Sequence, residues 1–210
     1  MHISEGVLSA PVLVTGAALT AAGTAVGLRQ LDYDRIAQVG LMAAAFFVAS
    51  LVHIPLGPSS VHLILNGLVG LLLGWAAFPA ILVALVLQGV FFQFGGLTTL
   101  GVNTLIMALP AVVAAGVGRP LLRRGRALVP LAGFCCGALS VLGAGLVAAL
   151  ALAFTSEGFL EVAGLILAAH LPVMVIEGIV TAFALAFFAK VQPSLVPGLQ
   201  ADETQKEGDR

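Results

Sequence analysis

The chain opens Met1-His2, and a free amino terminus followed by histidine chelates metal before any fold exists. The terminal amine and the His2 backbone nitrogen close a five-membered ring on an ion. The same backbone nitrogen and His2 Nδ1 close a six-membered ring beside it. Three nitrogens then lie in one plane, and one further imidazole completes a square. Tetragonal nitrogen donors suit Ni(II), Cu(II) and related divalent ions rather than Mg(II) or Ca(II). The sequence holds only 4 histidines. His53 and His62 share one short segment, Val52-His53-Ile54-Pro55-Leu56-Gly57-Pro58-Ser59-Ser60-Val61-His62.

Each candidate has a plainer reading beside it. His2 alone could be the chance second residue of an exposed tail. His62 follows Gly57-Pro58-Ser59-Ser60 at the expected start of a helix. Ser59 or Ser60 can cap that helix and Pro58 fixes the approach, so a rigid turn would aim one imidazole. His53 precedes Ile54-Pro55 at an expected helix end, where an interfacial histidine is ordinary. Either could supply the fourth nitrogen, with the other supporting it. His170 and Glu177 are seven residues apart and share a helix face. Ionisable groups inside a membrane are costly and face a bundle interior. Glu177 is expected to hydrogen-bond a ligand or tie helices together. Asn66, Gln88, Gln93 and Asn103 are polar residues in apolar surroundings, the kind that join helices. Asn103 is also placed to orient the amino-terminal segment.

The elements that position these groups must be membrane helices. Hydrophobic residues make up 60% of the 210, and charged residues 9%, against about a quarter charged in soluble domains. Such a chain takes lipid as its solvent. No Lys or Arg stands in Met1-His2-Ile3-Ser4-Glu5-Gly6, so the first apolar stretch is expected to be retained rather than cleaved as a signal peptide. Met1 is then expected to stay as the terminus. The pattern predicts an all-α membrane protein of about seven transmembrane helices in one bundle. The expected spans are Pro11–Leu28, Ile36–Val52, Val61–Phe78, Ala80–Phe94, Val102–Gly118, Leu128–Phe154 and Glu161–Lys190. The bundle is expected over 1–192, with a polar, disordered cytoplasmic tail over 193–210.

Charge supports the odd number. Arg29 and Arg35 flank the first loop, Arg119, Arg123, Arg124 and Arg126 fill the fifth, and Lys190, Lys206 and Arg210 follow the last helix. Seven helices put all of these on one side, which the positive-inside rule makes the cytoplasm. The N-terminus is then outside, together with the His53–His62 loop. A site facing incoming solute suggests uptake. Gly16-Ala17-Ala18, Ala21-Ala22-Gly23, Ala25 and Gly27 on the first helix allow close helix packing, inside the bundle or against another subunit.

Other chemistries find no residues. There is no G-x-x-x-x-G-K-[ST], no H-E-x-x-H and no Gly-x-Ser-x-Gly. Asp32 and Asp34 fall in an expected cytoplasmic loop. No enzyme is expected, and no basic, aromatic-rich patch suggests nucleic acid. Cys135 and Cys136 sit in an apolar run and read as small packing residues.

Met1-His2-Ile3-Ser4-Glu5-Gly6, His53-Ile54-Pro55, Gly57-Pro58-Ser59-Ser60-Val61-His62, Gly95-Gly96-Leu97-Thr98-Thr99-Leu100-Gly101-Val102-Asn103-Thr104 and Glu177-Gly178 resemble the CbiM/NikM family. Its members are membrane substrate-binding components of energy-coupling factor transporters for cobalt and nickel. The resemblance covers nearly all of the chain up to about Lys190. It implies that the N-terminal segment inserts into the bundle from outside. It implies a planar site from the Met1 amine, the His2 backbone nitrogen, the His2 imidazole and a loop imidazole that maps to His62. His53, Asn103, His170 and Glu177 then support the site or offer alternative ligands. Co(II) or Ni(II) is cargo, and no resident cofactor is implied. The implied partners are a membrane coupling subunit, cytoplasmic ATPases and a small auxiliary membrane subunit. Ser4 departs from the proline commonest in the family at that position, which leaves the N-terminal turn less rigid.

Two competing readings come from the residues. A stand-alone secondary permease needs ionisable groups at mid-membrane, and only His170 and Glu177 qualify. A membrane scaffold or metal sensor would bind the ion without moving it, and no soluble output domain accompanies the helices.

Overall fold

The structure, a computed structural model, describes residues 2–56, 59–197 and 199. Its helices are α1 (Ala10–Arg29), α2 (Ile36–Ala49), α3 (Asn66–Leu73), α4 (Ala77–Phe92), α5 (Leu100–Leu122), α6 (Val129–Ala153) and α7 (Leu160–Val191). One hairpin, β1 (His53–Leu56) and β2 (Ser59–His62), lies between α2 and α3. Five stretches are long and apolar enough to cross a membrane: Ala10–Arg29, Asn66–Phe92, Leu100–Leu122, Arg126–Ala153 and Glu157–Val191.

The third expected span, Val61–Phe78, is corrected. Val61 and His62 belong to β2, which pairs antiparallel with β1 in the register His53↔His62 and Ile54↔Val61. Pro55 lacks the N–H a helix interior needs, and β-branched Val61 favours extended backbone. Helix begins only at Asn66, after Leu65 takes a left-handed conformation at φ 57°. α2 ends at Ala49, short of the expected Val52, because the chain turns there into the hairpin.

The expected boundary between the third and fourth spans also moves. α3 ends at Leu73, and Gly74 turns the chain with φ 62° and ψ −130°. Glycine adopts that backbone without the penalty a Cβ brings. Arg119 Nε donates to Leu71 O (3.2 Å) and Arg35 Nη2 to Leu72 O (3.1 Å). These bonds take carbonyls that a helix C-terminus leaves unpaired. α4 then runs back from Ala77, with Phe78 against Gly23 of α1. One end of the molecule therefore gathers the C-termini of α1, α3 and α5. The other gathers the hairpin, the end of α4 and the start of α5.

Small residues set the packing. The Cα of Gly67 lies against Cys136 O of α6, and that of Gly70 against Ala111 O of α5. A side chain at either would meet backbone, so α3 is buried over its whole length. Gly133 and Gly137 give α6 the same close approach to Ala182 and Glu177 of α7. On α1, Gly16, Thr20, Gly23 and Gly27 are buried inside the bundle. Thr20 Oγ1 donates to Gly101 O at 2.6 Å. Cys136 is buried and its thiol donates to Ala114 O at 3.3 Å, and both cysteines are free. Packing continues past residue 192: Val196 and Leu199 are buried, and Gln38 Nε2 donates to Leu195 O at 3.4 Å. The remainder of the expected tail, from residue 200 onward, lies outside the described residues.

Candidate metal site

The amino-terminal segment reaches α5 through a two-way amide pair. Ile3 N–H donates to Asn103 Oδ1 at 2.9 Å, and Asn103 Nδ2 donates to Ile3 O at 3.0 Å. Asn103 thus pairs Ile3 as a neighbouring strand would. Its Nδ2 also donates to Thr99 Oγ1 at 3.2 Å, which fixes the amide. Two residues on, Glu5 Oε1 accepts from Thr98 N–H at 3.1 Å. Gly95 and Gly96 make room: a Cβ at Gly95 would meet Asn103 Nδ2 and one at Gly96 would meet the Glu5 side chain. Gly95 also has φ 77°, a region that favours glycine.

These bonds bring His2 onto His62. The two rings stack with centroids 5.4 Å apart and planes 18° apart. Phe94 also stacks on the His2 ring, at 5.7 Å and 23°. Burial pushes the His2 imidazole down to about 3, and neighbouring positive charge adds to the effect. The ring is therefore neutral near pH 7, the form that coordinates metals. His62 Nδ1 lies 3.2 Å from Leu63 O. With Nδ1–H donating there, Nε2 carries the lone pair, the usual arrangement for a ligating histidine.

Glu177 fixes the far side of His62. Buried in the middle of α7, its Oε1 accepts from Ile64 N–H and its Oε2 from Leu65 N–H at 3.1 Å. The carboxyl group takes the N–H groups of the two residues that lead into α3. It thereby ties α7 to the segment that follows His62. His170 packs over Gly145 of α6, with Nδ1 2.6 Å from Ile166 O in its own helix.

The structure thus brings together His2, His62, Asn103 and, through the backbone, Glu177. Met1 lies outside the described residues, as does the side chain of His53. Among the described residues no three His, Cys, Asp or Glu side chains converge. A planar chelate built from an amine and a backbone nitrogen requires no such cluster. Sequence reasoning missed Phe94, whose only signal is its place beside Gly95-Gly96. It also left Glu5 and Thr98 without a role.

Asn103→Leu tests the amide pair. It leaves Ile3 N–H and C=O unbonded at a half-buried site, at about 1–3 kcal/mol for each group left unsatisfied. Expected is weaker Ni(II) binding by about 10- to 100-fold, the range for loss of an outer-shell partner, read by chelator competition.

Residues 2–195 match a family model described as the cobalt uptake substrate-specific transmembrane region, CbiM. A Haemophilus influenzae protein named for metal transport is 46% identical over 199 residues, covering 93% of this chain and 97% of that one. The cobalt transport protein CbiM of Sorangium cellulosum is 33% identical over 216 residues, covering 95% and 96%. The fused nickel transport protein NikMN of Rhodobacter capsulatus is 39% identical over 134 residues, 61% of this chain and 39% of that one. A crystal structure of a transition metal transporter superposes with a TM-score of 0.73 at 26% identity, covering 91% and 93%. With that match across its length, the chain belongs to the CbiM family of cobalt and nickel transport proteins, multi-pass membrane proteins of prokaryotes.

Proposed function

We propose that this chain is the substrate-binding membrane component of an ATP-driven uptake transporter of the energy-coupling factor type, with Co(II) or Ni(II) as cargo. The ion is captured outside by the Met1 amine, the His2 backbone nitrogen, His2 Nδ1 and His62. The observation that carries this reading is the stack of His2 on His62, held by Asn103. Distant parts of the chain are brought together at the one place where the sequence offers a planar nitrogen set.

Seven crossings with the N-terminus outside fit the alternation of helix direction. Arg35 and Arg119 lie at the end opposite His2 and His62. Arg29 closes α1 there too, which agrees with a cytoplasmic end rich in basic residues. Partner subunits are a membrane coupling protein, ATPases and a small auxiliary membrane protein. A relative whose name records a fusion supports an assembly of several transport units. Both Glu177 oxygens accept backbone N–H groups and His170 Nδ1 lies beside Ile166 O, contacts that tie the backbone and so disfavour a secondary permease.

The test is uptake of radioactive Ni(II) and Co(II) into vesicles carrying the chain, with and without coupling subunit and ATPases. ATP-dependent uptake only in the complete assembly is expected. Equal uptake without ATPases would establish the permease reading. Binding without any uptake in the complete assembly would establish a scaffold or sensor.

A further inference from the structure

One group at the site lacks a partner. His2 Nε2 is buried and forms no hydrogen bond among the described residues. In the chelate, Nδ1 faces the ion, so Nε2 carries the hydrogen. Ligating imidazoles almost always donate that N–H to an oxygen, which sets the tautomer and the ring orientation. The site therefore needs an acceptor beside His2.

Gln88 of α4 fits that need. It is fully buried, and neither its Oε1 nor its Nε2 has a partner. Buried amides with both ends unbonded are rare, and each calls for an explanation. Gln88 lies one turn before Phe92 and on the same face of the helix. The Phe92 ring is 5.6 Å from Phe94, and Phe94 stacks on His2. Phe94 N–H also donates to the Gln88 backbone carbonyl at 3.4 Å. Backbone and rings thus run from Gln88 to His2. Asn66 is the other buried amide with an unbonded oxygen, but its Nδ2 is anchored on Met107 O at 3.2 Å. The Gln88 amide is anchored by nothing described and has the longer side chain.

We propose that Gln88 is a positioning residue for the cargo ion: through one bridging water, or directly once the ion turns the ring, its Oε1 accepts the His2 Nε2–H and holds the tautomer that turns Nδ1 to the metal. This deepens the chelate reading and rests on it. It assigns a role to a side chain whose burial helix packing alone leaves unexplained.

The experiment measures Ni(II) affinity of the full-length chain in detergent by chelator competition, beside melting temperature. The forms compared are native, Gln88→Leu, Gln88→Glu, Asn66→Leu and a chain with three glycines before Met1. Gln88→Leu is expected to weaken binding about 10- to 100-fold without lowering the melting temperature, because an apolar side chain replaces an unbonded amide. Gln88→Glu keeps an acceptor and is expected to restore affinity to within a few fold. In the planar, diamagnetic Ni(II) complex, the ¹⁵N-labelled His2 ring is expected to show an exchange-protected Nε2–H that Gln88→Leu loses. Native affinity in Gln88→Leu overturns the proposal, as does a loss seen with Asn66→Leu in place of Gln88→Leu. A lowered melting temperature that Gln88→Glu fails to restore also overturns it, by showing a packing role only. The glycine-extended chain separates the two levels: if it binds like native, the chelate itself fails whatever Gln88 does.

Discussion

Three glycines added before Met1 are expected to lower Ni(II) affinity by more than the roughly 100-fold that loss of an outer-shell partner costs. Three of the four proposed nitrogens belong to the first two residues. The insertion moves the amine three residues away and leaves a peptide nitrogen in its place, whereas a single glycine would make Gly-Met-His, whose amine, two peptide nitrogens and imidazole form a square of their own. Every side chain is kept, so a site made of His2, His53, His62 and His170 imidazoles would not feel the change. The amide pair of Ile3 with Asn103 also survives, since it lies on the far side of His2 from the insertion. The measurement is chelator competition with each purified form, with Ni(II) and Co(II) in parallel. Ni(II) is expected to lose more, because it has the stronger preference for a planar nitrogen set. Equal binding by both forms would remove the amine from the ligand set and leave the imidazoles to be tested.

The residues of the proposed site are more legible in the sequence than the fold around them. His2 and His62 could be singled out because chelate chemistry and histidine scarcity are visible without coordinates. Asn103 is visible as a polar residue in an apolar run, and in the structure its amide bonds Ile3. The short α3 was not visible. Hydropathy runs unbroken from Asn66 to Phe92, so the turn expected near residue 79 is placed at Gly74 only by its φ and by the two arginines that bond the end of α3. The start of that helix was misread for a related reason. Ser59 and Ser60 resemble caps, but they lie in a strand, and the N–H groups before α3 are taken by Glu177, more than 100 residues away in sequence. A cap supplied from another helix leaves no local signal. The stack of Phe94 on His2 is a tertiary contact of the same kind.

Glu177 therefore carries the second large expectation. Glu177→Ala leaves the N–H groups of buried Ile64 and half-buried Leu65 without acceptors, at about 1–3 kcal/mol each. Leu65 also loses what holds it at φ 57°, a conformation a leucine rarely adopts. The segment between His62 and α3 is then free to relax, and His62 moves with it. Expected are a lower melting temperature and a loss of Ni(II) affinity of about 10- to 100-fold. Glu177→Gln keeps one oxygen but sets an amide N–H₂ against the second N–H, so it is expected to fall between native and Ala in both measurements. This variant also separates a structural tie from an ion-coupling group. If the carboxyl group only holds the backbone, uptake by the complete transporter falls in proportion to binding. If it carries a coupling proton or cation, as a secondary permease would need, Gln abolishes uptake while leaving metal binding near native. The two bonds to Ile64 and Leu65 occupy both oxygens. A group so engaged cannot exchange an ion without releasing the segment beside His62, so proportional loss is the expected result.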